Sequence, residues 1–352
     1  MNNNRLQSLG EFFLVGLSGT RMNREIEDFL SELNPAGLVL FARNIEEPAQ
    51  VALLTHEIQR YCRALGREGV LIGIDQEGGR VNRLRTPFPV FPSALELASR
   101  KDPSAAVREF AEVTARGLRM LGITLNFVPV MDVPERPWDT RTSVIGDRAF
   151  SAEPETVMKL GLIVMDAMRS QGVIPCCKHF PGHGGTVVDS HHDLPRDERT
   201  KDQLANRDLV PFAGAIAAGC EMIMTAHVHY PALDPDYPAT LSPHILQGIL
   251  RDEMKFDGVV VTDDLDMGAV SARYAEEDCV VQSLAAGVDL VMFCNHPEKA
   301  LRARSILAEA VRDGTISTGR LTEARRRVQM LLARYKHALT PCDVGAARQY
   351  FG

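Results

Sequence analysis

The chain has 352 residues, of which 45% are hydrophobic and 24% charged, and this composition is typical of a folded globule and excludes a disordered chain. Its formal net charge of −7 argues against nucleic acid as a partner, because proteins that bind nucleic acid concentrate Lys and Arg on one surface. The apolar runs are all too short to cross a bilayer, so the sequence predicts no membrane partner either.

The N-terminal segment contains a short apolar run that starts with Phe12 and follows Glu11. We predict a first strand here and not an export signal, because the segment has neither a basic region before the run nor a small-residue cleavage site after it. The seven cysteines are scattered and odd in number, which suits a reducing compartment, so we expect a cytoplasmic protein. Cys176 and Cys177 are adjacent and should point to opposite faces of a strand, which disfavours a bridge or a shared metal.

Eight short apolar runs recur along the chain: FFLVGLSG, AGLVLFAR, GVLIGIDQEG, ITLNFVPVMDV, GVIPCCKHFPG, CEMIMTAHVHY, DGVVVTDDLDM and GVDLVMFCN. Most are continuously apolar, as expected of strands that helices cover on both faces. Helical periodicity follows the second, fourth and sixth runs, in VALLTHEIQRYCRAL, ETVMKLGLIVMDAMRS and HILQGILRDEM. The pattern predicts an α/β protein with a single (β/α)8 barrel of the TIM type over residues 1–352, in which about residues 297–352 form closing helices and a C-terminal helical extension.

Charged and polar residues collect at the C-terminal ends of six of these strands. They are Asp75 and Glu77, Asp132, Lys178 and His179, His227 and His229, Asp263 and Asp264, and Asn295. Any one of them alone is explained by capping of the next helix. Six such ends together indicate an active site, because the C-terminal ends of barrel strands converge on one rim.

The longest polar segment follows the fifth strand and reads KHFPGHGGTVVDSHHDLP from residue 178 to residue 195. The next helix is expected only near Lys201, so this loop is longer than most βα loops and is a candidate functional loop. Metal binding is disfavoured, because the histidine spacing matches no familiar ligand pattern. Asp189, two residues before His191, indicates an acid/base pair in which the carboxylate fixes the imidazole tautomer. The alternative is that this pair only pins the loop.

Two further segments place carboxylates at the rim. In GIDQEGGRVNRLR, Asp75 precedes a tight Gly-Gly turn and Arg83, which suits binding of sugar hydroxyls, although a plain salt bridge explains it equally well. In VVVTDDLDM, Asp263 and Asp264 must face different directions, so one enters the pocket while the other caps the next turn or bonds a basic group. An ionised carboxylate in such a pocket attacks an anomeric carbon or stabilises an oxocarbenium ion.

Five motifs in fixed order carry a resemblance over nearly the whole chain: IDQEGGRVNRL, VIGDRAF, KHFPGHG followed by DSHHDLP, MTAHV, and DGVVVTDDLDMGA. Together they resemble the family 3 glycoside hydrolases, and more narrowly the single-domain bacterial β-N-acetylglucosaminidases of the NagZ type, which take part in cell-wall recycling. The resemblance implies a (β/α)8 barrel and retaining, two-step hydrolysis of terminal β-linked N-acetylglucosamine. No cofactor and no metal are expected.

The resemblance also implies roles for individual residues. By motif match, Asp263 is the nucleophile, and His191 is the acid/base, assisted by Asp189. Sugar-binding roles fall on Asp75, Arg83, Arg148, Lys178 and His179. The expected partner is a small carbohydrate that contains N-acetylglucosamine, bound by a monomer or weak oligomer.

Several alternatives remain beside this interpretation. An imidazole acid/base is neutral after it donates its proton and does not repel phosphate, so a phosphorylase fits the same residues, as does a β-glucosidase. A sugar-binding sensor and a metallohydrolase are rival classes. We expect cell-wall muropeptide fragments as the substrate, and chitin-derived sugars remain an alternative.

Some positions near the motifs are left without a firm role. The segment Pro134–Ser143 is longer than the link expected there, and its Trp138 either forms a wall for the leaving group or decorates the surface. His192 and His229 receive no role.

Overall fold

A computed structural model describes residues 8–135, 143–186 and 193–352. Eight parallel strands form a closed barrel: β1 (Phe13–Gly16), β2 (Gly37–Leu40), β3 (Leu71–Ile74), β6 (Leu125–Asn126), β7 (Ile174–Phe180), β8 (Met222–Thr225), β9 (Val259–Asp264) and β10 (Leu290–Phe293). Their order around the barrel is β1-β10-β9-β8-β7-β6-β3-β2. Each lies within one of the eight apolar runs, so the predicted (β/α)8 barrel is confirmed.

Helices surround the barrel and follow its strands. In chain order they are α1 (Arg24–Leu33), α2 (Pro48–Ala64), α3 (Ala94–Ala98), α4 (Pro103–Met120), α5 (Pro154–Ser170), α6 (Lys201–Ala205), α7 (Leu209–Ala217), α8 (Gly268–Ser271), α9 (Glu276–Ala286), α10 (Lys299–Asp313), α11 (Thr318–Arg334) and α12 (Val344–Phe351). A further helix, His244–Glu253, has π-type hydrogen bonding. The three predicted helical segments and the predicted start at Lys201 are confirmed. None of the helices in the described ranges has the length and apolarity needed to cross a bilayer.

The core has two layers, which the alternating faces of the strands separate. Inside the barrel, Leu14, Cys176 and Met292 belong to one fully packed cluster. Cys177 belongs instead to the outer layer, between the sheet and the helices. The two adjacent cysteines thus face opposite sides of β7, as predicted, and all seven cysteines are free thiols.

The N-terminal end of the barrel is held by buried ion pairs. Asp289, at the start of β10, is fully buried and accepts from Arg251 Nη2 and Arg320 Nη2, each at 2.7 Å. α11 packs across this end and contributes Val328 and Leu331 to the inner cluster. These contacts belong to the end of the barrel opposite the polar strand ends, so they leave the other rim open.

A short antiparallel hairpin, β4 (Gln76–Gly78) and β5 (Val81–Asn82), follows β3 and confirms the tight turn predicted there. Gly79 has φ of 56°, and a Cβ at this position would lie 2.8 Å from the Ser93 Cβ, so only glycine fits. Arg80 follows the turn and forms an ion pair with Asp147 at 3.1 Å. The hairpin therefore anchors the chain just before Arg148.

Candidate active site

A cavity of about 360 Å³ opens at the C-terminal ends of the barrel strands, and its size suits one small ligand. Six of the eight predicted site residues line it: Asp75, Arg83, Arg148, Lys178, His179 and Asp263. The other two, Asp189 and His191, lie outside the described residues, as do Trp138 and His192. Apolar parts of the wall come from Phe41, Phe127, Met224, Met267 and Met292.

The two consecutive carboxylates of β9 have different surroundings. Asp263 is half-buried and lines the cavity. Asp264 is buried, and its Oδ1 accepts from the backbone N–H of Cys294 at 3.0 Å and of Asp266 at 3.1 Å. Its Oδ2 accepts from Asn295 Nδ2 at 3.1 Å. Asp264 therefore ties the end of β9 to the end of β10 and caps the turn, which is one of the two alternatives that the sequence left open.

These carboxyl groups also differ in pKa. Burial alone would raise the pKa of Asp263, but the nearby His179 and His227 imidazoles and the backbone N–H of Asp264 hold it below its usual range. Burial raises the pKa of Asp264 to about 7, although the N–H of Cys294 acts in the opposite direction. When the pKa values of two neighbouring acids differ in this way, the acid with the lower pKa is the anion at neutral pH. Asp263 is then available as a nucleophile or as a partner for a developing cation.

A buried network of opposite charges forms one wall of the cavity. Lys178 Nζ lies 2.7 Å from Asp75 Oδ1 and 2.6 Å from Glu77 Oε1. Glu77 also accepts from Arg148 Nε at 2.8 Å and from Arg148 Nη2 at 2.9 Å. Burial opposes ionisation of Glu77, but Arg148 and Lys178 outweigh it and hold the pKa of Glu77 far below its usual range. Burial likewise lowers the pKa of Lys178, and Asp75 and Glu77 reverse that effect and raise it.

Arg83 completes this wall at its outer edge. Its Nη2 lies 3.5 Å from Asp75 Oδ2, and its guanidinium lies over the Phe41 ring, 5.4 Å from the centroid. Arg80, which the sequence places beside Arg83, instead bonds the backbone carbonyls of Ser143 and Val144 at 2.9 and 2.6 Å. Asp75 is thus backed by Arg83 and Lys178, and this set of donors and acceptors suits neighbouring sugar hydroxyls.

His179 is oriented by the buried carboxylate of Asp132, on the segment that follows β6. Asp132 is fully buried, and its Oδ2 lies 2.7 Å from His179 Nδ1. Its Oδ1 accepts from the backbone N–H of His179 at 3.2 Å and of His183 at 2.7 Å. Burial would raise the pKa of Asp132, but His179 and His183 hold it low. Since the carboxylate accepts the proton on Nδ1, Nε2 is the ring nitrogen left for a ligand.

The two histidines after β8 are separated in space. His227 is buried, with Nδ1 2.7 Å from Thr240 Oγ1 and Nε2 3.1 Å from the Asp264 carbonyl, so it supports the backbone beside the carboxylates. Burial lowers the pKa of His227, and the nearby Asp263 acts in the opposite direction. His229 points away from the cavity, with Nε2 3.1 Å from the Asp234 carbonyl and Nδ1 3.0 Å from Arg196 Nη1.

Three residues of the site received no role from the sequence: Glu77, Asp132 and His183. Glu77 and His183 line the cavity, and Asp132 orients His179 from behind. A signal for the two acids was present, since each lies near the end of an apolar run that contains a barrel strand. Their partners were not readable, because Glu77 bonds Arg148 across 71 positions and Asp132 bonds His179 across 47.

Comparisons with known proteins agree with this geometry. Residues 5–331 match the glycosyl hydrolase family 3 N-terminal domain. A curated beta-hexosaminidase of Thiobacillus denitrificans is 41% identical over 292 residues, which are 82% of this chain and 79% of the relative. A beta-hexosaminidase of Methylococcus capsulatus is 40% identical over 311 residues, which are 87% of this chain and 88% of the relative.

A solved structure shows the same barrel. The glycoside hydrolase family 3 beta-N-acetylglucosaminidase of a Paenibacillus species superposes with a TM-score of 0.90 and 37% sequence identity. The match covers 94% of this chain and 62% of the Paenibacillus chain, so the present chain corresponds to somewhat less than two thirds of that protein.

Proposed function

This chain belongs to glycosyl hydrolase family 3 and is a glycoside hydrolase of the β-N-acetylhexosaminidase class, and we propose that it removes terminal β-linked N-acetylglucosamine with retention of configuration. The observation that carries the proposal is Asp263: a carboxylate with a lowered pKa that faces a cavity of monosaccharide size. We further propose that residues 1–352 act as one catalytic domain.

The proposed reaction has two steps. In the first, Asp263 attacks the anomeric carbon and forms an ester, the bond from that carbon to the leaving oxygen breaks, and His191 gives its proton to that oxygen. In the second, His191 takes a proton from water, the water oxygen attacks the anomeric carbon, and the ester bond to Asp263 breaks. Two inversions at one carbon give overall retention. Asp189 orients His191 in both steps.

The proposed sugar contacts use the charged wall of the cavity. Asp75 accepts from sugar hydroxyls, while Lys178 and Arg83, which flank it, donate to them. Arg148 and His179 also donate to the sugar. Support for this assignment comes from the convergence of all five side chains on the cavity and from the buried carboxylates that hold Arg148 and His179 in place.

Charge at the cavity favours water over phosphate as the acceptor. The described lining carries three carboxylates, Asp75, Glu77 and Asp263, against three cations, Arg83, Arg148 and Lys178, and burial raises the pKa of the fourth acid, Asp264, to about 7. Each of these cations already lies beside a carboxylate. A phosphate dianion would therefore meet little surplus positive charge, and we propose hydrolysis, with phosphorolysis as the outcome to be tested against it.

For the natural substrate we propose cell-wall muropeptide fragments that carry a terminal N-acetylglucosamine, cleaved in the cytoplasm. Seven free thiols, six of them buried, support a reducing compartment. Comparison of a disaccharide muropeptide with a chitin-derived disaccharide at equal concentration measures this preference, and faster turnover of the chitin-derived sugar would contradict it.

The experiment that tests the proposed activity is a panel of aryl glycosides. The enzyme should hydrolyse the aryl N-acetyl-β-glucosaminide much faster than the aryl β-glucoside, and the product should be free N-acetylglucosamine with or without phosphate. Formation of a sugar 1-phosphate in phosphate buffer would show that the enzyme catalyses phosphorolysis and not hydrolysis. Preference for the glucoside would make the protein a β-glucosidase.

A further inference from the structure

A buried ion cluster lies under the loop that follows β7. It consists of Asp197, Arg199 and Asp208, and we name it the Arg199 cluster. Arg199 Nε and Nη2 donate to the two Asp197 oxygens at 2.9 and 2.6 Å, and Nη2 and Nη1 lie 3.0 and 2.9 Å from the two Asp208 oxygens. The exposed fractions of the side chains are 11% for Arg199, 1% for Asp197 and 0% for Asp208.

The first part of the loop, residues 181–186, rests directly on this cluster. A Cβ at Gly185 would lie 2.4 Å from Arg199 Nη2, and a Cβ at Gly182 would lie 2.6 Å from the Asp208 Cβ. The Tyr230 hydroxyl, which is buried, donates to the Gly182 carbonyl at 2.5 Å. Only glycine allows the backbone to approach the ion cluster this closely, so the path of the chain here depends on the cluster.

The last part of the loop, from residue 193 to the start of α6, is fixed to the same place. The backbone N–H of Asp197 donates to the His229 carbonyl at 2.9 Å, and the N–H of His229 donates to the Pro195 carbonyl at 2.9 Å. The His229 ring also bonds Arg196 Nη1 at 3.0 Å. His229 therefore has a structural explanation: it joins the end of the loop to the end of β8.

Both parts of the loop thus meet at one ion cluster, and residues 187–192 lie between them in sequence. These six residues include Asp189 and His191. A buried ion pair is weak evidence for a gain in stability, because apolar residues of similar volume are often equally stable. A planar guanidinium that bonds two carboxylates at once does supply fixed geometry.

We propose that the Arg199 cluster is a positioning device that sets where Asp189 and His191 lie relative to Asp263, so that Arg199 acts in proton transfer without contact with the substrate. This inference rests on the proposed function, because it assumes that His191 is the acid/base. Its effect should therefore appear only where the leaving group needs a proton.

The test compares phenyl and 2,4-dinitrophenyl N-acetyl-β-glucosaminides with Arg199→Lys. Lysine keeps the charge but, as a point charge, does not bond both carboxylates in fixed geometry. We expect kcat/KM for the phenyl substrate to fall about 10- to 100-fold, which is part of the contribution of a general acid. We expect kcat/KM for the dinitrophenyl substrate to fall less than about threefold. Asp208→Asn, which keeps the shape of the side chain, should show the same selectivity with a smaller loss and serves if the lysine variant does not fold.

The matched control is Arg251→Lys, a buried arginine that bonds Asp289 at 2.7 Å at the opposite end of the barrel. It should change both substrates by the same factor. Equal losses on the two substrates in Arg199→Lys and Asp208→Asn, or no loss in either, would overturn the positioning role. His191→Ala distinguishes failure of the proposed function from failure of the positioning role. If His191→Ala does not lose more activity on the phenyl substrate than on the dinitrophenyl substrate, the proposed function fails. If His191→Ala shows this difference and the Arg199 and Asp208 variants do not, only the positioning role fails.

Discussion

Glu77 and Arg148 form a two-point ion pair, with Arg148 Nε and Nη2 at 2.8 and 2.9 Å from the two Glu77 oxygens, and the Glu77 side chain is only 5% exposed. The same carboxylate holds Lys178 at 2.6 Å. One acid thus fixes two of the cations that we assign to the sugar, so its loss should be felt in substrate binding although it makes no proposed contact with the reacting atoms.

Glu77→Gln should therefore raise KM for the aryl N-acetylglucosaminide by about 10- to 100-fold, as loss of a supporting partner commonly does. It should also lower the free energy of unfolding by about 3 kcal/mol, because it leaves buried cations short of a charged partner. Steady-state kinetics and denaturant unfolding measure the two effects. Glu96→Gln is the control, since Glu96 pairs with Arg100 at 2.7 Å on the surface and its loss should cost under about 1 kcal/mol. An unchanged KM in Glu77→Gln would contradict the assignment.

Asp263→Asn should lower kcat by about 10⁴-fold while N-acetylglucosamine still binds, because the amide keeps the shape but does not attack the anomeric carbon. Calorimetric titration with the sugar and turnover of the dinitrophenyl substrate measure binding and chemistry separately. In the wild type, a slowly hydrolysed substrate should leave one sugar on the peptide that contains Asp263, seen by mass spectrometry.

The control for this variant is Asp257→Asn, which removes an exposed carboxylate that pairs with Arg326 at 2.7 Å, just before β9. Its turnover should equal that of the wild type. A labelled peptide other than that of Asp263 would show that a different group is the nucleophile.

Much of this architecture was readable from the sequence, because buried parallel strands leave continuous apolar runs and all eight runs became barrel strands. The convergence of Asp75, Lys178 and Asp263 was also predictable, since each comes at the C-terminal end of a strand and those ends meet at one rim. These predictions followed from the local pattern of apolar runs and from the geometry of a parallel barrel.

Pairings between distant segments were not predictable in the same way. Asp75 and Arg83 are near each other in sequence, and their pairing was foreseen, whereas the partner of Glu77 lies on the segment after β6. The π-type hydrogen bonding of His244–Glu253 was missed as well, because the apolar periodicity of the segment predicts a helix without specifying its type. Such features depend on how separate elements pack, which a linear pattern does not contain.

His191→Ala should slow poor leaving groups far more than activated ones. We expect a loss of about 10²- to 10⁴-fold for the phenyl glycoside, the usual contribution of a general acid, and a much smaller loss for the dinitrophenyl glycoside. Comparison of kcat/KM for the two substrates gives the answer, with His296→Ala as a control on an exposed histidine whose side chain is 57% exposed. Equal losses for both substrates would remove His191 as the proton donor.

His183 should make the folded state sensitive to acid. Burial and the neighbouring His179 lower the pKa of His183 to about 4, from an ordinary value of 6.5. The unfolded chain therefore binds a proton at this residue at higher pH than the folded chain does. Its contribution to stability is complete above about pH 6.5 and is lost as the pH falls toward about 4, up to a total of about 3 kcal/mol.

His183→Asn removes this titration and should lose less stability than the wild type between pH 7.5 and pH 4.5. Denaturant unfolding at several pH values measures the difference between the two proteins. His296→Asn, at an exposed position, should follow the wild-type curve. Equal losses of stability in the wild type and His183→Asn over this range would mean that the pKa of His183 is the same in the folded and unfolded states. The assignment of a neutral imidazole to the folded state would then be wrong.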